Sequence, residues 1–154
     1  MATPEPTLRN LPAFQLAGIR RWHSLVDAPK TIPNQWHDLH ASGLPGLAEA
    51  KITYGATAQM DVANQRLEYF AGYEVVDFEG IPAYGRVSLA AAQYAVFTLN
   101  TVSEIRPFWQ QILAEWLSAS GYKMGDSPDF ERYDERFDAV SRGPLEVWVP
   151  IRNE

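Results

Sequence analysis

Residues 51–76 read KITYGATAQMDVANQRLEYFAGYEVV, and this stretch sets the pattern for the rest of the chain. The ranges 51–60 and 67–76 each predict a strand, and the polar run 61–65 between them predicts the turn that joins the two. Further strands are predicted on both sides of this pair, at 13–22, 84–89, 93–99, 129–133 and 145–151.

Two helices are predicted between these strands. The sequence Thr-Ile-Pro at 31–33 offers a cap and an early proline, which suits a helix start, and the segment 43–46 ends that helix. Thr101 and Glu104 have capping-box spacing ahead of a second helix, which Gly121 ends. The broad apolar face of the second helix consists of Ile105, Phe108, Trp109, Ile112, Leu113, Trp116 and Leu117.

The order of elements is strand, helix and two strands, given twice, with one extra strand between the halves 13–76 and 93–151. This order predicts an α+β fold of two strand–helix–strand–strand halves with pseudo-two-fold symmetry. The expected architecture is a curved antiparallel sheet with two main helices and a central ligand cleft. Residues 1–12 carry three prolines and are expected to form a flexible lead-in to a single domain at 13–151.

Composition and charge exclude several classes of protein. The net charge is −6, with 19 acidic residues against 13 basic ones, so the basic footprint of a nucleic-acid-binding protein is missing. The sequence holds no cysteine, which rules out disulfides and a cysteine nucleophile. It also shows neither a signal peptide nor a run long enough to span a membrane, so a cytoplasmic location is expected.

The segment 128–138, PDFERYDERFD, holds the strongest candidate site. Alternate residues of a strand share a face, so Glu131 and Tyr133 point the same way. A carboxylate beside a phenol could hold a cation or position a water molecule. The alternative is a solvated strand edge with alternating charges, and spacing alone favours the edge.

Tryptophans supply further candidates. Trp148 alternates with Val147 and Val149 and therefore faces a different environment from theirs. Trp109 and Trp116 lie seven residues apart on the second helix and are most simply core residues. Because aromatic walls suit flat or cationic organic ligands, Trp148 and Trp109 are candidate ligand contacts.

Histidines and glycines give weaker signals. His37 and His40 are one helical turn apart, but no third ligand stands at a familiar spacing, so no metal site is expected. The sequence has no nucleophile-elbow motif, phosphate-binding glycine loop or dinucleotide fingerprint. No cofactor is therefore expected.

Seven segments together carry a family resemblance: 32–36 (IPNQW), 71–75 (AGYEV), 93–98 (QYAVFT), 105–117, 120–122 (SGY), 128–138 and 146–151 (EVWVPI). In this order and spacing they resemble the GyrI-like small-molecule-binding domain, also called the AraC-type effector-binding domain. The resemblance covers about residues 13–151. It implies two strand–helix–strand–strand halves around a central cleft, in agreement with the order of elements above.

The resemblance also implies a buried glutamate, on the strand before the last, that recognises cationic or polar organic ligands. By position this residue is Glu131, with Tyr133 beside it, so the resemblance favours a pocket over a solvated edge. Many relatives carry a DNA-binding helix-turn-helix ahead of the domain, and with a dozen residues before the first strand none is expected here. Relatives often have a His-Arg-Gly-like stretch where this chain has LNTVS at 99–103.

The expected function is a stand-alone, cytoplasmic binding protein for small cationic or aromatic organic molecules, a multidrug-type binder with no direct nucleic-acid or membrane partner. One alternative is a hydrolase of strained or electrophilic small molecules in which Glu131 and Tyr133 activate water. A second alternative is a protein-interaction modulator.

Overall fold

The computed structural model describes residues 5–138 and 140–153. Across these residues there are nine strands: β1 (Thr7–Leu11), β2 (Phe14–Ser24), β3 (Thr53–Asp61), β4 (Arg66–Val75), β5 (Arg86–Leu89), β6 (Ala92–Leu99), β7 (Tyr122–Met124), β8 (Phe130–Tyr133) and β9 (Leu145–Asn153). The α-helices are α1 (Ala28–Ala41), α2 (Ile105–Pro107) and α3 (Leu113–Ser120). None of the helices in the described ranges is long and apolar enough to cross a membrane.

The chain divides into two compact units, the N-terminal unit (Ala13–Leu89) and the C-terminal unit (Met1–Pro12 with Ala90–Glu154). In the N-terminal unit the strands pair antiparallel in the order β5-β2-β4-β3. In the C-terminal unit β6 pairs with β1 and β9, and β9 also pairs with β7 and β8, again antiparallel. Each unit thus contains a strand, a helical segment and two further strands, so the predicted α+β class and its two halves are confirmed.

Strand β4 is buried on both of its faces between Glu68 and Tyr73. Tyr69, Ala71 and Tyr73 point toward α1 and pack with Leu39 in one core cluster. Alternation along the strand places Glu68 on the opposite face, where α1 does not lie. The N-terminal unit therefore has one sheet face that α1 covers and one that α1 does not cover.

A buried polar contact ties α1 to the sheet beneath it. The amide nitrogen of Gln35, a fully buried residue, donates to the carbonyl oxygens of Ile19 in β2 and Tyr69 in β4, at 3.0 and 2.9 Å. The Gln35 amide oxygen lies 2.6 Å from Nε2 of the buried His23, and because an amide oxygen can only accept, the Nε2–H group of His23 is the donor. His23 Nδ1 completes the contact at 2.7 Å from the hydroxyl of Thr31.

The C-terminal unit packs its helical segment on β6 and β9. Buried Phe97, Val147 and Phe108 belong to one core cluster, and the Phe97 and Phe108 rings meet edge to face at 4.9 Å. The helical segment covers 102–120 and includes π-helical residues Phe108–Ile112 between α2 and α3. Its start follows the predicted capping box, since the Thr101 backbone N–H donates to the Glu104 carboxylate at 2.7 Å.

The structure differs from the sequence prediction at several points. Thr7–Leu11, expected to belong to a flexible lead-in, form β1 and pair along β6. Helix α1 begins at Ala28 rather than at Thr31, because Pro29 is accommodated in its first turn. The three-residue strand β7 and the π-helical residues were not predicted.

Candidate functional site

Glu131 and Tyr133 share a face of β8, as predicted. The Tyr133 hydroxyl donates to Glu131 Oε1 at 2.7 Å, and both side chains are half-buried. Glu131 pairs across the strands with Val147, which is fully buried in the core cluster under the helical segment. Because directly opposed residues share a face, the Glu131–Tyr133 pair lies on the helix-covered side of the C-terminal unit.

Aromatic rings accompany this pair. The Tyr133 ring packs against the core cluster and meets Phe137 edge to face, with 5.0 Å between ring centroids. Trp109, in the π-helical residues, is half-buried against the same cluster and contacts Phe108 at 5.4 Å. Trp109 therefore has the core role that its helical spacing indicated, on the face that carries the carboxylate.

Trp148 lies on the other face of the same strands. It pairs with Phe130, the neighbour of Glu131, so alternation directs it away from the Glu131–Tyr133 pair. Its ring stacks on Phe130 at 5.5 Å, and Tyr94 approaches these two rings at 5.3 and 5.8 Å. We call Tyr94, Phe130 and Trp148 the aromatic trio. The structure thus separates Trp148 from the other predicted site residues, which sequence spacing could not show.

Ionic contacts border the aromatic trio. Glu146 Oε1 accepts from the Trp148 indole nitrogen at 3.0 Å and from Arg132 at 3.1 Å, and Glu146 Oε2 accepts from Arg136 at 3.3 Å. Hydrogen bonds from Arg136 hold the pKa of the Asp134 carboxyl below its usual range. These carboxylates are therefore engaged by arginines of the protein.

Asp129 is a further acid beside the trio. Burial raises the pKa of its carboxyl, and burial also raises the pKa of the neighbouring Tyr94 phenol. The Tyr94 hydroxyl donates to the Pro128 carbonyl at 3.1 Å. A carboxyl desolvated next to aromatic rings is a position where a bound cation would lower the cost of ionisation.

The sequence reasoning missed Glu68, the most deeply buried acid among the described residues, at 1% exposure. Its carboxylate accepts hydrogen bonds from the Tyr84 hydroxyl and, at 3.0 Å, from the Gln59 amide nitrogen. Arg20 Nη1 lies 3.9 Å away. The available signal was the apolar run that follows Glu68 in β4, which indicates a strand buried on both faces.

The histidines occupy separate positions. His23 is enclosed by Thr31 and Gln35, and the His40 ring stacks on Trp36 with 6.4 Å between centroids. Across residues 5–138 and 140–153, no group of three or more potential ligand side chains is arranged to hold a metal ion.

Comparison with known proteins places the chain in a family. The family model Cass2, integron-associated effector binding protein, matches residues 7–151. The transcriptional regulator BrlR of Pseudomonas aeruginosa is 33% identical over 151 residues, a match that covers 91% of this chain and 53% of BrlR. The chain therefore spans about half the length of this curated relative.

Solved structures share the fold. SAV2435 bound to tetraphenylphosphonium has a TM-score of 0.69 at 18% identity, with 96% of this chain and 94% of that chain covered. The integron cassette protein VCH_CASS2 of Vibrio cholerae has a TM-score of 0.64 at 14% identity, with 96% of each chain covered. The chain belongs to the Cass2 family of integron-associated effector-binding proteins and has the GyrI-like α+β fold.

Proposed function

We propose that this chain is an effector-binding module for aromatic organic cations, with Glu131 as the carboxylate that recognises the positive charge. The observation that carries the proposal is the 2.7 Å hydrogen bond from Tyr133 to Glu131 at a half-buried position. This bond fixes the orientation of the carboxylate and holds a phenol ring beside it. A charge and a π face then stand together, and both attract organic cations.

The surroundings of the pair support an organic ligand over a hydrated inorganic ion. Tyr133 and Phe137 present aromatic surface next to the carboxylate, and Trp109 packs on the same core cluster. Aromatic rings offer a cation both apolar area and the negative face of the π system. Trp148 is buried in the aromatic trio on the other face of β8 and β9, so it is not part of the Glu131 site that we propose.

The comparisons support the ligand class. The family is one of effector-binding proteins, and SAV2435, with the same fold, is bound to tetraphenylphosphonium, an aromatic cation. BrlR is a transcriptional regulator, so an effector-binding role within regulation is consistent with the relative. Tetraphenylphosphonium is therefore the first probe.

The test is an isothermal titration of tetraphenylphosphonium into the wild-type protein and the Glu131→Gln variant. The substitution keeps the shape of the side chain and removes its charge. Tetraphenylphosphonium has no hydrogen-bond donor, so what is lost is the attraction between two charges several ångströms apart at a partly buried site. This attraction is on the order of 2–3 kcal/mol, so affinity should fall on the order of tenfold to a hundredfold.

Glu135→Gln is the matched control, because Glu135 is exposed and lies four residues along the same segment. It makes the same change in net charge and should leave affinity within about twofold, as expected for a screened surface charge. Equal affinities in the wild type and Glu131→Gln would overturn the assignment of Glu131. A similar loss in both variants would show a long-range charge effect in place of a site.

The Tyr133–Glu131 hydrogen bond also favours one second candidate, a hydrolase of electrophilic small molecules. General-base catalysis needs a carboxylate held in position next to the reacting water, and the hydrogen bond from Tyr133 holds Glu131 in one orientation. The wild type, Glu131→Gln and Tyr133→Phe would be incubated with styrene oxide, and the diol product would be quantified. Turnover by the wild type that both variants lose would establish the hydrolase, and absence of turnover would leave the binding module.

A further inference from the structure

In the N-terminal unit, the sheet face that α1 does not cover carries a second carboxylate–phenol pair, at Glu68 and Tyr84. Glu68 is 1% exposed, whereas Tyr84 is 59% exposed and lies in the 3₁₀ turn Ala83–Gly85 just before β5. The Tyr84 hydroxyl nevertheless donates to Glu68 Oε2. The phenol therefore covers the buried carboxylate from the solvent side.

Arg20 already places a cation at this pair, but with poor geometry. Its Nη1 lies 3.9 Å from Glu68 Oε1, well beyond a charge-assisted hydrogen bond, and its Nη2 donates instead to the Arg86 carbonyl at 3.0 Å. Its Nε is buried and has no hydrogen-bond partner within the described residues. The guanidinium carbon lies 5.7 Å from the centroid of the Tyr84 ring.

The contacts of Arg20 indicate which kind of cation fits between Glu68 and Tyr84. A planar nitrogen cation sits between a carboxylate and an aromatic ring, and it fails to form the bidentate pair that such groups form when they are free to align. A ligand with the same head group is not tethered to β2 and can align fully with Glu68. Rotation of the exposed Tyr84 side chain gives such a ligand access.

We propose that Glu68 and Tyr84 form a second ligand site, for small aromatic molecules with an amidinium or guanidinium head group, in which Arg20 is the internal competitor. The head group donates two N–H groups to the Glu68 carboxylate and stacks against the Tyr84 ring. Displaced Arg20 moves toward solvent, where 24% of its side chain is already exposed. The site shares no residue with the Glu131–Tyr133 pair.

The test is a calorimetric titration of benzamidine in the Glu131→Gln background, so that any binding at Glu131 is removed in advance. Arg20→Met keeps the aliphatic length and removes the competing charge, and it should tighten benzamidine binding about tenfold. Adding Glu68→Gln should weaken binding at least about tenfold, since the charged acceptor is lost. Glu74→Gln, an exposed glutamate on the same face of β4, is the control and should change little.

Tyr84→Phe provides a second measurement that survives if Glu68→Gln fails to fold. It removes the hydroxyl that competes for the Glu68 carboxylate and keeps the ring, so benzamidine binding should strengthen at least about threefold. The proposal would be overturned if the affinity for benzamidine were unchanged by Arg20→Met and Tyr84→Phe, or if no variant bound benzamidine. Tetraphenylphosphonium, which has no N–H donors, reports on Glu131 separately, so a failure of one site is distinguishable from a failure of the other.

Discussion

Each unit of the molecule pairs a glutamate with a tyrosine, and the two pairs differ in how they are assembled. In the C-terminal unit, Tyr133 and Glu131 are two residues apart on one strand and both are half-buried. In the N-terminal unit, Tyr84 reaches Glu68 from 16 residues away, and the carboxylate is almost fully buried beneath an exposed ring. The first pair is a product of strand alternation, and the second is a product of tertiary structure.

The difference in burial also changes what balances the charge. Glu68 accepts hydrogen bonds from Tyr84 and Gln59 and faces Arg20, so its ionised form is compensated inside the unit. A buried carboxylate without such groups would be costly to ionise. We therefore expect similar side-chain chemistry to contribute differently to stability in the two units, and removal of each glutamate charge tests this.

Replacing Glu68 by glutamine should give the largest effect. The variant leaves the guanidinium of Arg20 without its counter-charge and disturbs two partly buried hydrogen bonds, so the free energy of unfolding should fall by about 1–3 kcal/mol. Glu131→Gln, at a half-buried position, should cost less than about 1 kcal/mol. Urea denaturation of both variants measures the difference. A larger loss of unfolding free energy for Glu131→Gln would contradict the expectation that Glu68 contributes more to stability.

Replacing Tyr133 by phenylalanine should have an intermediate effect. It removes the hydrogen bond to Glu131 and leaves the ring in contact with Phe137, so the free energy of unfolding should fall by about 0.5–1.5 kcal/mol. Tyr122→Phe is the control, because the half-buried Tyr122 ring stacks on Trp116 in the same unit. Thermal denaturation that ranks Tyr122→Phe as the more costly change would argue against a structural role for the Tyr133 bond.

The ionic contacts that border the aromatic trio should respond to acid. Arg136 lowers the pKa of Asp134, so the contribution of Asp134 to stability is present above its usual pKa near 4 and is lost as the pH falls through the lowered value. Because 52% of Arg136 is exposed, solvent screening limits this contribution to less than about 1 kcal/mol. Asp134→Asn should be less stable than the wild type at pH 7, with the gap closing toward pH 2. A gap that persists in acid would assign the loss to another cause.

The Glu68 pair should instead respond to alkali, with the smallest effect. The hydrogen bond to Glu68 raises the pKa of the Tyr84 phenol, so the contribution of Tyr84 is complete below pH 10 and is lost as the pH rises through the raised value. Melting temperatures of the wild type and Tyr84→Phe should therefore converge above pH 10. Parallel curves across pH 8–11 would show that ionisation of Tyr84 is not coupled to folding.

The elements that the sequence predicted are those with a strong local pattern. The pair β3 and β4 follows from two strand-like stretches around a polar turn, and the second helix follows from a capping box and an apolar face. Strand β1 was not predicted, because its residues show no apolar alternation. It is held to β6 by backbone pairing. The π-helical residues were not predicted, because they keep the apolar positions of an α-helix and differ from it only in the backbone hydrogen-bond pattern.

The features of the candidate site also divide into those that a local sequence pattern predicts and those that depend on tertiary structure. Strand alternation was enough to place Tyr133 beside Glu131. The separation of Trp148 from that pair depends on how β8 registers with β9 across the segment 134–144, which no local pattern specifies. Glu68 lay within a strand predicted from the start, but its burial depends on what covers each face of that strand, and its contact with Tyr84 depends on the path of the loop before β5.

The contact of Gln35 with the sheet has a consequence for how far the N-terminal unit can be redesigned. A helix held on a sheet by apolar contacts alone can shift along its axis by one turn, about 5.4 Å, and still bury a similar area. For α1 such a shift would separate the Gln35 amide from the carbonyls of two neighbouring strands, and each unmet buried group costs about 1–3 kcal/mol. Gln35 therefore selects one position of α1 along the sheet. The apolar residues around Gln35 can be substituted with less risk that the helix packs in a shifted position.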